Sequence, residues 1–217
     1  MVYSPRLGRI VHLLSELEWK AFLIAEFTDC VIDIRENYPL DRTRTREIAK
    51  QLEVNHPAPY ADDVVMTTDL FLTIKTPFGP RNVAWYIKYA RSLWKPRTQE
   101  LLKLEREYHR SNQVRLLEIT EQSFPRALTD NLKFVRGALR SPHWLESKRV
   151  DLVEEELRPK ASRERLDEVC EQSDKRFGLS VGTSLFLARH FIATHRWKVN
   201  MFRPILAHAP LQWEAAA

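Results

Sequence analysis

Two runs of β-branched and aromatic residues dominate the middle of the chain, Asp63-Val-Val-Met-Thr-Thr-Asp-Leu-Phe-Leu-Thr-Ile74 and Asn82-Val-Ala-Trp-Tyr-Ile-Lys-Tyr-Ala90. Between them lies Thr76-Pro-Phe-Gly-Pro80, turn chemistry that predicts two adjacent antiparallel strands. Side chains alternate faces along a strand, so Val65, Thr67, Asp69 and Phe71 share one face of the first. Ala84, Tyr86 and Lys88 share one face of the second. An acid on one strand and a lysine at the end of its neighbour are thereby expected to converge.

Helical periodicity flanks this hairpin. Residues from Leu14 to about Phe27 predict a helix with Leu17, Ala21, Ile24 and Ala25 on its buried stripe. Ser15 and Glu18 have capping-box spacing, with Leu14 and Trp19 placed for a hydrophobic staple. Cys30–Arg35 reads as a buried strand. Asp41–Lys50 is a short, highly charged helix, either a solvated face or one turned toward phosphate. Asn55–Pro59 is a loop. Arg97–Arg110 predicts an exposed helix with Leu101, Leu104 and Tyr108 as its apolar positions. Val114–Ile119 is a further strand and Pro125–Leu139 a further helix. The order is that of an α/β fold, a mixed sheet flanked by helices.

A domain boundary is expected between Ser141 and Arg149, dividing the chain into 1–145 and 146–217. Beyond it Leu152–Leu157, Ser162–Ser173 (with Ser162 as N-cap) and Val181–Thr194 read as helices. Arg196–Leu211 could supply a β-ribbon. Three helices and a ribbon suggest a winged-helix-like module. Glu214–Ala217 is expected to fray.

Composition narrows the function classes. With 44% hydrophobic and 29% charged residues the chain has globular composition. No run approaches the length of a membrane span, and the first residues lack a signal peptide's apolar core. Cys30 and Cys170 are the two cysteines, too few for a disulfide framework and consistent with a reducing cytoplasm. The net charge of +5 arises within residues 1–150, because residues 151–217 hold ten acids and ten Lys or Arg. Within that tail, Lys175–Trp213 holds six basic residues and no acid. Basic surfaces on both parts suit a nucleic-acid partner.

A carboxylate that holds a divalent cation, beside a lysine that offsets charge on phosphate, is the minimal equipment of a metal-dependent nuclease. Asp69 and Lys88 supply both groups. The restriction-type pattern places a second acid two residues before the lysine; here that residue is Tyr86, a poor metal ligand. Glu18 is the candidate for the missing carboxylate.

Several motifs occur in order: Gly8-Arg-Ile-Val-His12, Leu13-Leu-Ser-Glu-Leu-Glu18, Val31-Ile-Asp-Ile-Arg-Glu-Asn-Tyr-Pro-Leu40, Asn55-His-Pro57, Val65-Met-Thr-Thr-Asp69 and Ala84-Trp-Tyr-Ile-Lys88. Leu104-Glu-Arg-Glu-Tyr108 and Asn131-Leu-Lys-Phe134 extend the set. As an ordered series they resemble the TnsA family, the endonuclease subunits of heteromeric Tn-seven-like transposases. The resemblance implies a restriction-endonuclease-like fold that cuts the 5′ ends of a mobile element. It also implies a DDE transposase partner (TnsB-like) for the 3′ ends and an ATPase regulator (TnsC-like). The family's catalytic glutamate, aspartate and lysine fall on Glu18, Asp69 and Lys88. Its usual glutamine falls on Tyr86. Glu18 and Asp69 are then expected to hold Mg²⁺, for which Mn²⁺ can substitute, with the Ile87 carbonyl as a third donor. Two other readings stay open, a self-sufficient restriction or resolvase-type nuclease and a non-catalytic DNA-binding adaptor.

Overall fold

The structure, a computed structural model, describes residues 1–57, 64–140 and 143–214. Asp63, the end of the Asn55–Pro59 loop and the Ser141–Pro142 boundary lie outside the described residues, as do the last three alanines.

The chain divides into two compact units, residues 1–124 and 125–217. The first begins with a two-stranded hairpin, β1 (Val2–Ser4) and β2 (Arg9–Val11). Helix α1 (Glu16–Phe27), strand β3 (Val31–Pro39) and helix α2 (Arg42–Gln51) follow. Next come strands β4 (Thr67–Thr76) and β5 (Gly79–Ile87), then helices α3 (Ala90–Leu93) and α4 (Pro96–Ser111), then strand β6 (Arg115–Ile119). The sheet order is β3-β4-β5-β6, antiparallel except for the parallel β5–β6 pair. A parallel pair needs a long crossover, which α3 and α4 provide. This mixed sheet flanked by helices fits a restriction-endonuclease-like fold.

The expected hairpin is present and tighter than its Pro-rich connector suggested. Thr76 already pairs with Gly79, leaving Pro77 and Phe78 as the loop. Thr76 Oγ1 closes the turn by donating to the Gly79 carbonyl at 2.7 Å and accepting from Phe78 N–H at 3.2 Å. Gly79 has φ 101°, a region that a side chain disfavours.

Helix α1 is buried more completely than its predicted stripe. Leu17, Ala21, Phe22, Leu23 and Ala25 are all buried, whereas Ile24 is only partly so. Phe22, Leu17 and Ala21 form one core with Leu70 and Leu72 of β4, Ile87 and Ile119. The β1–β2 hairpin pins this helix to the sheet. Arg9 makes a two-pronged pair with Glu36 of β3 at 2.8 and 2.7 Å, and its guanidinium also donates to the Ile34 carbonyl. Burial opposes the Glu36 charge most strongly, but the Arg9 hydrogen bonds, the backbone N–H donors of Glu36 and His12 and the Arg9 charge together outweigh it and hold the carboxyl below its usual range. A second core joins α2 and α4 through Leu40, Ile48, Ala49, Met66 and Leu104.

The second unit contains helices α5 (Arg126–Arg136), α6 (Ser147–Lys160), α7 (Leu166–Phe177) and α8 (Thr183–Ala193). The division falls at 124/125 rather than near 145. Helix α5 packs on α8, and Asn131 of α5 binds the chain's last segment through three hydrogen bonds. Helix α6 spans more than Leu152–Leu157, because Val150, Val153 and Leu157 make one buried stripe. Ser162 does not cap α7, which starts at Leu166. Its hydroxyl donates to the Pro159 carbonyl and closes the end of α6. Where a ribbon was expected, the terminal segment makes one antiparallel bridge, Val199 with Trp213, packed on the buried Trp197.

Candidate active site

The start of α1 is set by Ser15, whose hydroxyl accepts from the Glu18 N–H at 3.1 Å. Glu18 reaches back, accepting from Leu14 N–H at 2.8 Å and Ser15 Oγ at 2.9 Å. The Ser15 half of the predicted capping box is present, while the return bond goes to the N–H of Leu14, one residue before the cap. The accompanying staple is absent. Leu14 is 79% exposed, and Leu13 packs against the core instead. Glu18 itself is buried at the first turn of the helix.

Asp69 lies on β4, Lys88 just past the end of β5. The antiparallel register brings them together, with Lys88 Nζ at 3.0 and 3.2 Å from the two Asp69 carboxylate oxygens. The Ile87 backbone N–H also donates to Asp69 Oδ2 at 2.6 Å. Burial raises the Asp69 pKa; Lys88 and the Ile87 N–H pull against that rise, and the Glu18 charge adds to it. The fold brings Asp69 and Lys88 into direct contact, while Glu18 stands at the first turn of α1 with its carboxylate held by Leu14 N–H and the Ser15 hydroxyl.

Tyr86 is almost fully buried, and Lys88 Nζ sits 4.9 Å from its ring centroid. Burial and the nearby carboxylates of Glu105, Asp69 and Glu118 push its phenol well above the ordinary range, so it stays neutral. Its contribution is a ring face that steadies an ammonium rather than a metal ligand.

Three residues beside this centre escaped the sequence reading. Glu105 and His109 of α4 are buried, 2% and 1% exposed. Thr68 Oγ1 donates to Glu105 Oε1 at 2.8 Å and lies 2.7 Å from His109 Nε2. Burial first, then the Asp69 charge, pushes Glu105 up to about 8 despite the Thr68 bond and the Lys88 charge. Burial takes His109 down to about 4. At neutral pH the pair is thus a carboxylic acid and a neutral imidazole, not an ion pair, although 3.8 Å separates them. His109 Nδ1 has no hydrogen-bond partner among the described residues. A bare acceptor costs less there than a bare donor, which favours the tautomer with its proton on Nε2, donating to Thr68. The helix predicted as exposed does turn Leu101, Leu104 and Tyr108 onto the second core, and in addition buries Leu102, Glu105 and His109. Counting Glu105 and His109 as polar surface hid this stripe.

Metal binding can be judged from the donors present. Glu18 and Asp69 offer hard carboxylate oxygens whose mutual repulsion a divalent cation would relieve, so the residues fit such an ion. Among the described residues no group of three His, Cys, Asp or Glu side chains converges on a metal-binding point. Further positions on an ion would fall to backbone carbonyls, water or substrate oxygens.

A mixed sheet flanked by helices, carrying an acid–lysine pair at the end of its central hairpin, fits a restriction-endonuclease-like core. Comparison with known proteins makes this specific. The TnsA-like endonuclease N-terminal family matches residues 28–121, and the TnsA endonuclease C-terminal family matches residues 124–201. The Transposon Tn7 transposition protein TnsA of Escherichia coli is 33% identical over 218 residues, covering 95% of this chain and 76% of the relative. The chain belongs to the TnsA endonuclease family.

Proposed function

We infer that this chain is the DNA-cutting subunit of a Tn7-like heteromeric transposase, hydrolysing phosphodiesters at the 5′ ends of the mobile element. A DDE transposase (TnsB-like) then acts on the 3′ ends, and an ATPase regulator (TnsC-like) contacts the assembly. The observation that carries the reading is the contact of Asp69 with Lys88 beside the Glu18 charge. Family membership and the relative's role in transposition support the choice of substrate.

Glu18 and Asp69 would hold Mg²⁺, with the Ile87 carbonyl as a further donor. Such an ion, when bound, lowers the pKa of an attacking water and offsets charge on the phosphate. The protein's own part is positional. The Ile87 N–H and the Lys88 ammonium fix the direction of the Asp69 carboxylate. The Lys88 ammonium offsets the phosphate's developing negative charge, and the Tyr86 ring face steadies that ammonium. Glu105 keeps its proton at neutral pH and so adds no competing negative charge. Mn²⁺ should replace Mg²⁺, because both accept oxygen donors. Read as a winged-helix-like module, the second unit would offer a surface for DNA or a protein partner, and the complex would act on DNA in the bacterial cytosol.

The test is reconstitution with the transposase subunit and end-labelled element DNA, mapping the strand that is nicked. Wild type should cut the 5′ strand and Asp69→Ala should cut neither, with both chains melting alike. A 5′ nick that persists in Asp69→Ala would remove Asp69 from the chemistry. Cutting of plain duplex by the chain alone would favour a self-sufficient nuclease.

A further inference from the structure

Directly after Lys88 the chain reads Tyr89-Ala-Arg-Ser-Leu-Trp-Lys-Pro-Arg97, so that Lys88, Arg91, Lys95 and Arg97 are four cations with no acid before Glu100. This shoulder is firmly held. Ala90 N–H donates to Glu121 Oε2 at 2.8 Å, Ser92 N–H to the Tyr89 carbonyl at 2.8 Å, and the Gln99 side chain to the Leu93 carbonyl. On it Trp94 is 86% exposed; its backbone N–H donates to the Ser92 carbonyl, but its indole has no ring or hydrogen-bond partner among the described residues. Tyr89 is 40% exposed, with the Arg91 guanidinium 5.9 Å from its ring centroid. A large ring held in water on an anchored turn, beside Arg91 and Lys95, which pair with no acid among the described residues, and a few residues from Lys88, contributes nothing visible to the fold. Aromatic faces interleaved with Arg and Lys are what a nucleic-acid strand requires, rings for bases or sugars and cations for phosphates.

We propose that Tyr89–Lys95 is the shoulder on which the cut DNA strand rests, Trp94 packing on a base or sugar beside the scissile phosphate. Arg91 and Lys95 bind the flanking phosphates. The inference rests on the reading of Lys88 as part of a DNA-cutting centre. The occupant is DNA rather than a protein because the patch pairs its aromatics with cations alone, complementary to a polyanion.

The experiment uses the full chain assembled with the transposase subunit and labelled element-end duplex. In Mg²⁺ it reads the half-saturating DNA concentration for nicking; in EDTA it reads DNA retention without cutting. Trp94→Ala should raise the half-saturating concentration by about tenfold or more, as for loss of one stacked base. Trp94→Phe should restore most of the affinity. Arg91→Ala and Lys95→Ala should each reduce the salt dependence of retention by about one unit of slope. Melting should not move, since Trp94 is in water. Unchanged DNA affinity in Trp94→Ala would overturn the proposal. So would loss of co-elution with the transposase in the absence of DNA, which would make Trp94 a protein contact. A wild-type complex that retains DNA through Trp94 yet never nicks would sink the catalytic reading and leave the shoulder intact.

Discussion

Asp69 answers to neighbours of both signs. Lys88 and the Ile87 N–H draw its carboxylate toward the charged form, while burial and Glu18 push it toward the neutral one. Glu105, a few ångströms from Thr68, is the clearer case of burial winning. In the folded chain it keeps its proton up to about pH 8, whereas a solvated glutamate releases it near 4.5. Between those values the folded state binds more protons, so stability falls as pH rises through the window. His109 acts in the opposite sense: burial takes it from 6.5 down to about 4, so stability falls as pH drops through that range. Glu105→Gln removes the first effect alone. Urea titrations across the Glu105 window should show wild type losing stability as pH rises toward 8, and Glu105→Gln losing less. Parallel curves would place the titration on another group. Asp69 and Lys88 were legible because alternation along two adjacent strands is enough to bring them together. Glu105 was not, since a buried acid has the same letter as an exposed one, and only a tertiary partner such as Thr68 makes its burial tolerable.

At the scale of the element, α1 shows how a cap and a catalytic candidate can share one residue. Ser15→Ala removes the acceptor for the Glu18 N–H and should cost about 1 kcal/mol, read as a lower denaturation midpoint. Glu18→Gln retains an oxygen for one of its two donors, so it should cost less than that while removing the carboxylate needed for a cation. A midpoint loss larger than that of Ser15→Ala would make Glu18 chiefly a structural residue. The hairpin β4–β5 and the mixed sheet could be read from β-branched runs and a Pro-Gly turn. The parallel placement of β6 could not, because pairing partners are chosen by tertiary packing. Ser162 misled for a local reason: a serine before an apolar run has an N-cap's spacing, yet its hydroxyl closes the preceding helix at Pro159. In the second unit the cap role is taken by the buried side chain of Asp174, which accepts from Gly182 N–H at 2.7 Å and Ser184 N–H at 2.8 Å. No spacing rule links a residue on α7 to the start of α8.

For the whole molecule, the division at 124/125 follows from one asparagine as much as from helix packing. Asn131 donates to the Met201 and Arg203 carbonyls at 2.9 and 2.6 Å and accepts from Ile205 N–H at 2.8 Å. Asn131→Ala would leave these groups unpaired and should destabilise the second unit by about 3 kcal/mol. Its unfolding transition should move to lower denaturant while that of residues 1–124 holds. The basic surplus, the family match across both units and the exposed shoulder after Lys88 all point outward, to a polyanion and to partner chains. The centre itself depends on Glu18 and Asp69 sharing a cation. Titration with Mn²⁺, following the free ion's paramagnetic resonance signal, tests this without DNA or partners. Wild type should take up Mn²⁺, and Glu18→Gln and Asp69→Asn should each lose that uptake while staying folded. Undiminished Mn²⁺ uptake in either variant would contradict the account.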